Sequence, residues 1–167
     1  MENIEEVLQK IKDILIKNKL SLSTAESCTG GLLSSYLTDI SGASNFIFQN
    51  FVTYSNEAKN KFLKVKKETL ENFGAVSENT AFEMSEGLLD YADTSIATTG
   101  ILGPLGGSVE KPVGLCYISF GYKKGNKKQI KVVKFLSKKT TRTTIKKDIV
   151  ENALGLFLDF IESYLGV

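Results

Sequence analysis

The sequence predicts a three-layer α/β/α sandwich around a mixed, mainly parallel central sheet. Three observations lead there. Apolar, strand-like runs alternate with helical periodicity from Leu20 to about Gly100. Two extended runs joined by a lysine-rich turn then interrupt the alternation. A long amphipathic segment closes the chain. Alternating strands and helices produce parallel strands covered on both faces, and a late hairpin adds antiparallel ones.

Each element has its own signal. Ile4, Val7, Leu8, Ile11, Ile14 and Leu15 recur at helical spacing, so residues 3–18 should form a helix with one apolar face. Leu20 to Ala25 is a short strand candidate, and Leu32, Leu33, Tyr36 and Leu37 mark a second helix after Gly30-Gly31. Residues 41–45 read as a loop. Phe46 to Tyr54 is aromatic and β-branched, as strands are. A helix should open near Ser55 or Asn56, both good caps, with Glu57 in its first turn. Another opens at Ser77-Glu78, with Ala81, Met84, Leu88 and Tyr91 on one face, and Ser95 to Thr98 is a short buried strand. Val113 to Tyr122 and Gln129 to Leu136 form the hairpin around Gly125-Asn126. The last helix, about 142–164, should bury Ile145, Ile149, Ala153, Leu156, Phe157, Phe160 and Ile161.

Composition narrows the function. The chain has 167 residues and reads most simply as one domain, 1–167. Its net charge of +2, with no basic run mixed with aromatics, argues against nucleic acid as a partner. No apolar run approaches the ~20 residues of a membrane helix, and the charged N-terminus does not resemble a signal peptide. The two cysteines, Cys28 and Cys116, make neither a disulfide framework nor a metal motif, so a reducing cytoplasm is expected. There is no histidine. A Ser-His-Asp triad, a Cys-His dyad and a histidine zinc site are thereby excluded, and lysine becomes the leading base.

Three stretches carry the chemistry: Thr24–Gly31, Thr53–Lys59 and Thr99–Gly107. Each begins where a strand-like run stops, and ligands of open α/β sheets bind beyond the carboxyl ends of strands. In the first, Gly30 and Gly31 uncover backbone amides suited to a phosphate or an oxyanion. Ser27 and Cys28 are possible nucleophiles there; a plainer reading makes Ser27 a helix cap and Cys28 a small core residue. In the second, Lys59 lies in the first turn of its helix, where its amine should point back to the strand end and the dipole should lower its pKa; taken alone it reads more plainly as one more surface lysine. Tyr54 offers a phenol, or merely a strand residue with its hydroxyl in water. In the third, the glycines after Thr99 could expose an anion-binding nest.

Taken together, these stretches resemble the nicotinamide-nucleotide amidase family, also called the CinA C-terminal domain, from about Leu20 to about Leu158. The matching segments are Glu26–Gly31, Thr53–Lys59, Gly74–Ser77, Thr99–Ile101, Gly103-Pro104 and Lys111–Gly114. Leu102, Leu105 and Thr141 depart from the family's usual residues. The resemblance implies an α/β/α homodimer without metal or other cofactor. The implied reaction is hydrolysis of nicotinamide mononucleotide to nicotinate mononucleotide and ammonia. Ser27 would be the nucleophile and Lys59 its base, directly or through Tyr54. The implied substrate-binding set is Glu26, Cys28, Thr29, Gly30, Gly31, Thr99, Gly100 and Arg142, with Arg142 and the 99–107 loop on the phosphate. Glu26 would orient Lys59 or bond the ribose. Two alternatives are a non-catalytic pyridine-nucleotide-binding module of the same fold and a serine amidase for another small amide.

Overall fold

The computed structural model describes residues 2–167. In chain order these form α1 (Ile4–Lys17), β1 (Leu22–Glu26), α2 (Leu32–Thr38), a 3-10 turn (Ala43–Asn45), β2 (Ile47–Val52), α3 (Asn56–Leu63), α4 (Lys67–Phe73) and α5 (Glu78–Leu88). There follow β3 (Thr94–Gly100), β4 (Leu115–Lys124), β5 (Lys127–Leu136) and α6 (Arg142–Leu165).

The five strands form one mixed sheet in the order β2-β1-β3-β4-β5. β1 pairs in parallel with both β2 and β3, while β4 runs antiparallel to β3 and to β5. Helices α1, α2 and α6 cover one face, and α3, α4 and α5 the other, giving three layers.

The two faces are built differently. On the α1/α2/α6 side, Leu22, Ile96, Ile118 and Phe120 of the sheet meet Ile11, Leu15, Leu33, Ile149 and Phe157 in the larger core. Burying such side chains is the main stabilising term, at about 25 cal/mol per Å². On the α5 side the sheet presents small residues. Ser119 Oγ donates to Ala81 O at 2.6 Å, and Ser95 Oγ donates to Ser85 O at 3.1 Å. A Cβ on Gly87 would stand 2.0 Å from Leu63 O, so glycine is what lets α5 press against the end of α3.

Two elements depart from the expected pattern. α4 was not anticipated, because its sequence carries no apolar stripe and only Thr69 is buried in it. Tertiary contacts hold it: Lys66 N–H donates to Glu83 Oε1 at 2.9 Å, and Leu70 packs on the smaller core. Tyr91, expected on the face of α5, lies beyond that helix; its ring packs 5.0 Å from Phe51 and its hydroxyl donates to Phe62 O.

The parallel strands decide where the site forms. β1, β2 and β3 all end on the same edge of the sheet. The ladder runs one step further there: Thr53 N–H donates to Glu26 O at 2.9 Å and Ser27 N–H to Thr98 O at 3.0 Å. The three chemical stretches thus emerge side by side.

Candidate active site

Lys59 is the centre of that edge. Ser55 caps α3, its side chain accepting from Ala58 N–H, so the helix starts immediately after β2. A helical side chain leans toward its N-terminus, which carries the Lys59 amine back over the strand end. There Nζ lies 2.9 Å from Thr53 O, 3.0 Å from Tyr54 O and 3.0 Å from Ser27 Oγ. The side chain is 0% exposed. None of the ion pairs among the described residues includes Lys59. Burial without a carboxylate partner penalises the ammonium, and its pKa falls from 10.5 to about 8, with a smaller opposing effect of Cys28. Burial is the largest cause.

Ser27 sits on the turn between β1 and α2. The buried Glu26 beside it has a different task from the one expected. Its Oε1 accepts from Leu33 N–H and from the Thr29 hydroxyl, both at 2.7 Å. Its Oε2 accepts from Ser34 N–H at 3.0 Å and the Ser34 hydroxyl at 2.7 Å. Glu26 therefore neither orients Lys59 nor reaches a ribose: it satisfies the first turn of α2 from within. The Thr29 side chain is likewise committed, being buried between Glu26 and Thr98. Gly30 N–H donates to Ser27 O at 3.2 Å. Among the described residues, the amides of Cys28, Thr29 and Gly31 have no acceptor. Gly30 and Gly31 adopt φ of +60° and +106°, a turn that suits glycine.

The remaining expected residues divide between a cleft and its frame. A cleft of about 270 Å³ is lined by Ser27, Cys28, Tyr54, Gly100, Leu105 and Arg142, among others. A larger groove of about 820 Å³ runs along α3 and α4, but its ionisable groups Glu57, Lys61, Lys67 and Glu71 are exposed and no buried base faces it. Tyr54 contributes its carbonyl to Lys59, while its side chain is 61% exposed and its hydroxyl accepts from Arg142 Nη2 at 3.3 Å. No hydrogen bond joins the phenol to Ser27 or Lys59, so it does not relay a proton between them. Arg142 Nη1 donates to Gly103 O at 2.7 Å, tying α6 to the 101–107 loop. Thr99 is buried and donates to Ala75 O at 2.7 Å, which takes its hydroxyl out of the cleft. A Cβ on Gly100 would stand 2.6 Å from Leu115 O, so that glycine serves the contact between β3 and β4. Cys28 is buried with Sγ 4.0 Å from Cys116 Sγ. Among the described residues, no cluster of His, Cys, Asp or Glu could hold a metal ion.

One cation was missed. Lys146 Nζ lies 3.6 Å from the point where a Cβ on Gly30 would be. It follows Arg142 by one helical turn on α6, and that spacing, which places both on one helix face, was the available signal.

A profile of the CinA C-terminal domain matches residues 4–161. A relative from Thermoanaerobacter pseudethanolicus is 48% identical over 163 residues, covering 95% of this chain and 39% of that protein. A CinA-like protein from Endomicrobium trichonymphae is 48% identical over 145 residues, 86% of this chain and 33% of its own. The chain thus spans about two fifths or less of the length of these curated relatives. The crystal structure of the competence/damage inducible protein CihA from Agrobacterium tumefaciens superposes with a TM-score of 0.88 at 40% identity, over 95% of this chain and 96% of that one. With this breadth of agreement in sequence and in fold, the chain belongs to the CinA C-terminal domain family.

Proposed function

We propose that this protein is an amidohydrolase that converts nicotinamide mononucleotide to nicotinate mononucleotide and ammonia, with Ser27 as nucleophile and Lys59 as base. The observation that carries the reading is the 3.0 Å approach of Ser27 Oγ to a fully buried lysine amine whose pKa is lowered to about 8. The substrate comes from the family resemblance, as does the expectation of a homodimer working without metal.

The geometry supports a direct mechanism. A neutral amine has two N–H groups and one lone pair. Thr53 O and Tyr54 O accept the two N–H groups, which leaves the lone pair for the hydroxyl of Ser27. As Ser27 Oγ bonds to the carboxamide carbon, its proton passes to Lys59. The carbonyl electron pair moves to oxygen, where the unpaired amide of Cys28, at the wall of the cleft, is available as a donor. The Lys59 ammonium then protonates the departing nitrogen, the C–N bond breaks and ammonia leaves. Water, deprotonated by the same amine, hydrolyses the ester and frees Ser27.

The test is release of ammonia from nicotinamide mononucleotide by purified protein in the presence of a chelator. Lys59→Arg and Lys59→Met should both be nearly inactive, because a guanidinium stays protonated. Activity that a chelator abolishes and zinc restores would refute the reading, and so would a Lys59→Arg variant that keeps most of the rate.

A further inference from the structure

Two cations of α6 stand near the Ser27 turn: Arg142 lines the cleft, and Lys146 lies over Gly30. Arg142 spends two of its five N–H groups on Gly103 O and Tyr54 Oη, which holds the loop and the phenol in place and leaves three for a ligand. Lys146 makes no hydrogen bond and no ion pair among the described residues. Its neighbour Lys147 differs, pairing with Glu151 at 3.8 Å. Lys146 is half-buried, and its amine stands over Gly30, three positions after Ser27, 3.6 Å from where a Cβ would be. An unpaired ammonium kept beside the Ser27 turn, with no carboxylate within 4.0 Å, is a place for an anion from outside.

We infer that Lys146 is a specificity-determining residue that, together with the free N–H groups of Arg142, takes the phosphomonoester of the substrate, which lies across Gly30 while the carboxamide faces Ser27. This rests on the amidase reading for the identity of the whole substrate, but the anion site stands on Lys146 and Gly30 themselves. Lys146 touches no reacting atom; it sets which substrates are held.

Two measurements separate this inference from the reading beneath it. The first is kcat/KM for nicotinamide mononucleotide divided by kcat/KM for nicotinamide riboside, which lacks the phosphate. Losing one charge-assisted contact should lower that ratio roughly tenfold or more in Lys146→Gln, through KM, and Lys146→Arg should restore most of it. The second needs no turnover: inorganic phosphate binding to the Ser27→Ala protein, followed by calorimetry or by NMR. Lys146→Gln should weaken it by a similar factor, and Lys146→Arg should keep it. An unchanged ratio in an active enzyme overturns the inference and leaves the amidase standing. Phosphate binding that depends on Lys146, in a protein inert toward both amides, upholds the anion site and sinks the amidase. Equal phosphate binding by Ser27→Ala proteins with Lys146 and with Gln at that position overturns it outright. A fall in kcat shared by both substrates would make Lys146 an electrostatic neighbour of Lys59 instead, and would also overturn it.

Discussion

The depressed pKa of Lys59 has a measurable thermodynamic signature. The amine titrates near pH 8 in the folded protein and near 10.5 when exposed to water. Below pH 8 both states carry the proton, and the fold bears the whole cost of burying a cation. Between about pH 8 and 10.5 the unfolded chain binds the proton and the folded chain does not, so stability rises with pH across that window. A shift of that size corresponds to about 3 kcal/mol in full, of which about 2.5 kcal/mol is recovered between pH 7 and pH 10. Many other lysines and tyrosines titrate in the same range, so the useful quantity is a difference. Urea unfolding of wild type and Lys59→Met at the two pH values isolates it. The stability of wild type relative to the variant should rise by about 2.5 kcal/mol from pH 7 to pH 10. A flat difference would mean that Lys59 keeps an ordinary pKa in the fold, and the case for a neutral base would go with it. The same titration should appear in activity, with kcat/KM falling as pH drops below about 8, since only the neutral amine can take the Ser27 proton.

Further expectations follow from the contacts. Ser27→Ala should lower ammonia release by about four to six orders of magnitude, because nothing replaces an activated nucleophile, whereas Cys28→Ala should keep most of the rate; the reverse pattern would move the nucleophile to sulfur. Glu26→Ala should destabilise the fold by about 3 kcal/mol, since it takes the acceptor from the buried amide of Leu33 and the partly buried amide of Ser34, and denaturant unfolding would show it; a variant that unfolds like wild type but binds substrate poorly would return Glu26 to the substrate. Leu102 and Leu105 should separate cleanly. Leu102 is 3% exposed and its loss to Ala should cost roughly 2–5 kcal/mol of stability, while Leu105, 87% exposed on the cleft, should change KM with the unfolding midpoint intact.

How much of this was legible depends on how local each signal is. Helices α1, α5 and α6 announced themselves by periodicity, and the hairpin by lysines flanking Gly125-Asn126, because a buried stripe and a tight turn are written in neighbouring residues. α4 gave no such sign, since contacts with α5 and the smaller core hold a polar segment in place. The absence of histidine and the direction of the Lys59 side chain were likewise available from the chain alone. What the sequence could not supply was the company each side chain keeps. Ser27 and Lys59 are 32 positions apart and meet only because β1 and β2 end on one edge. Glu26, adjacent to Ser27, turns inward to α2, because strand side chains alternate in direction and the neighbouring helix has amides to satisfy. Arg142 is drawn onto Gly103 and Tyr54, leaving Lys146 as the unpaired cation by Gly30. The sequence by itself determined which chemical groups exist and which elements carry them. Their burial, pairing and protonation were decided by tertiary structure, because those depend on distance and solvent exclusion between segments that are remote along the chain.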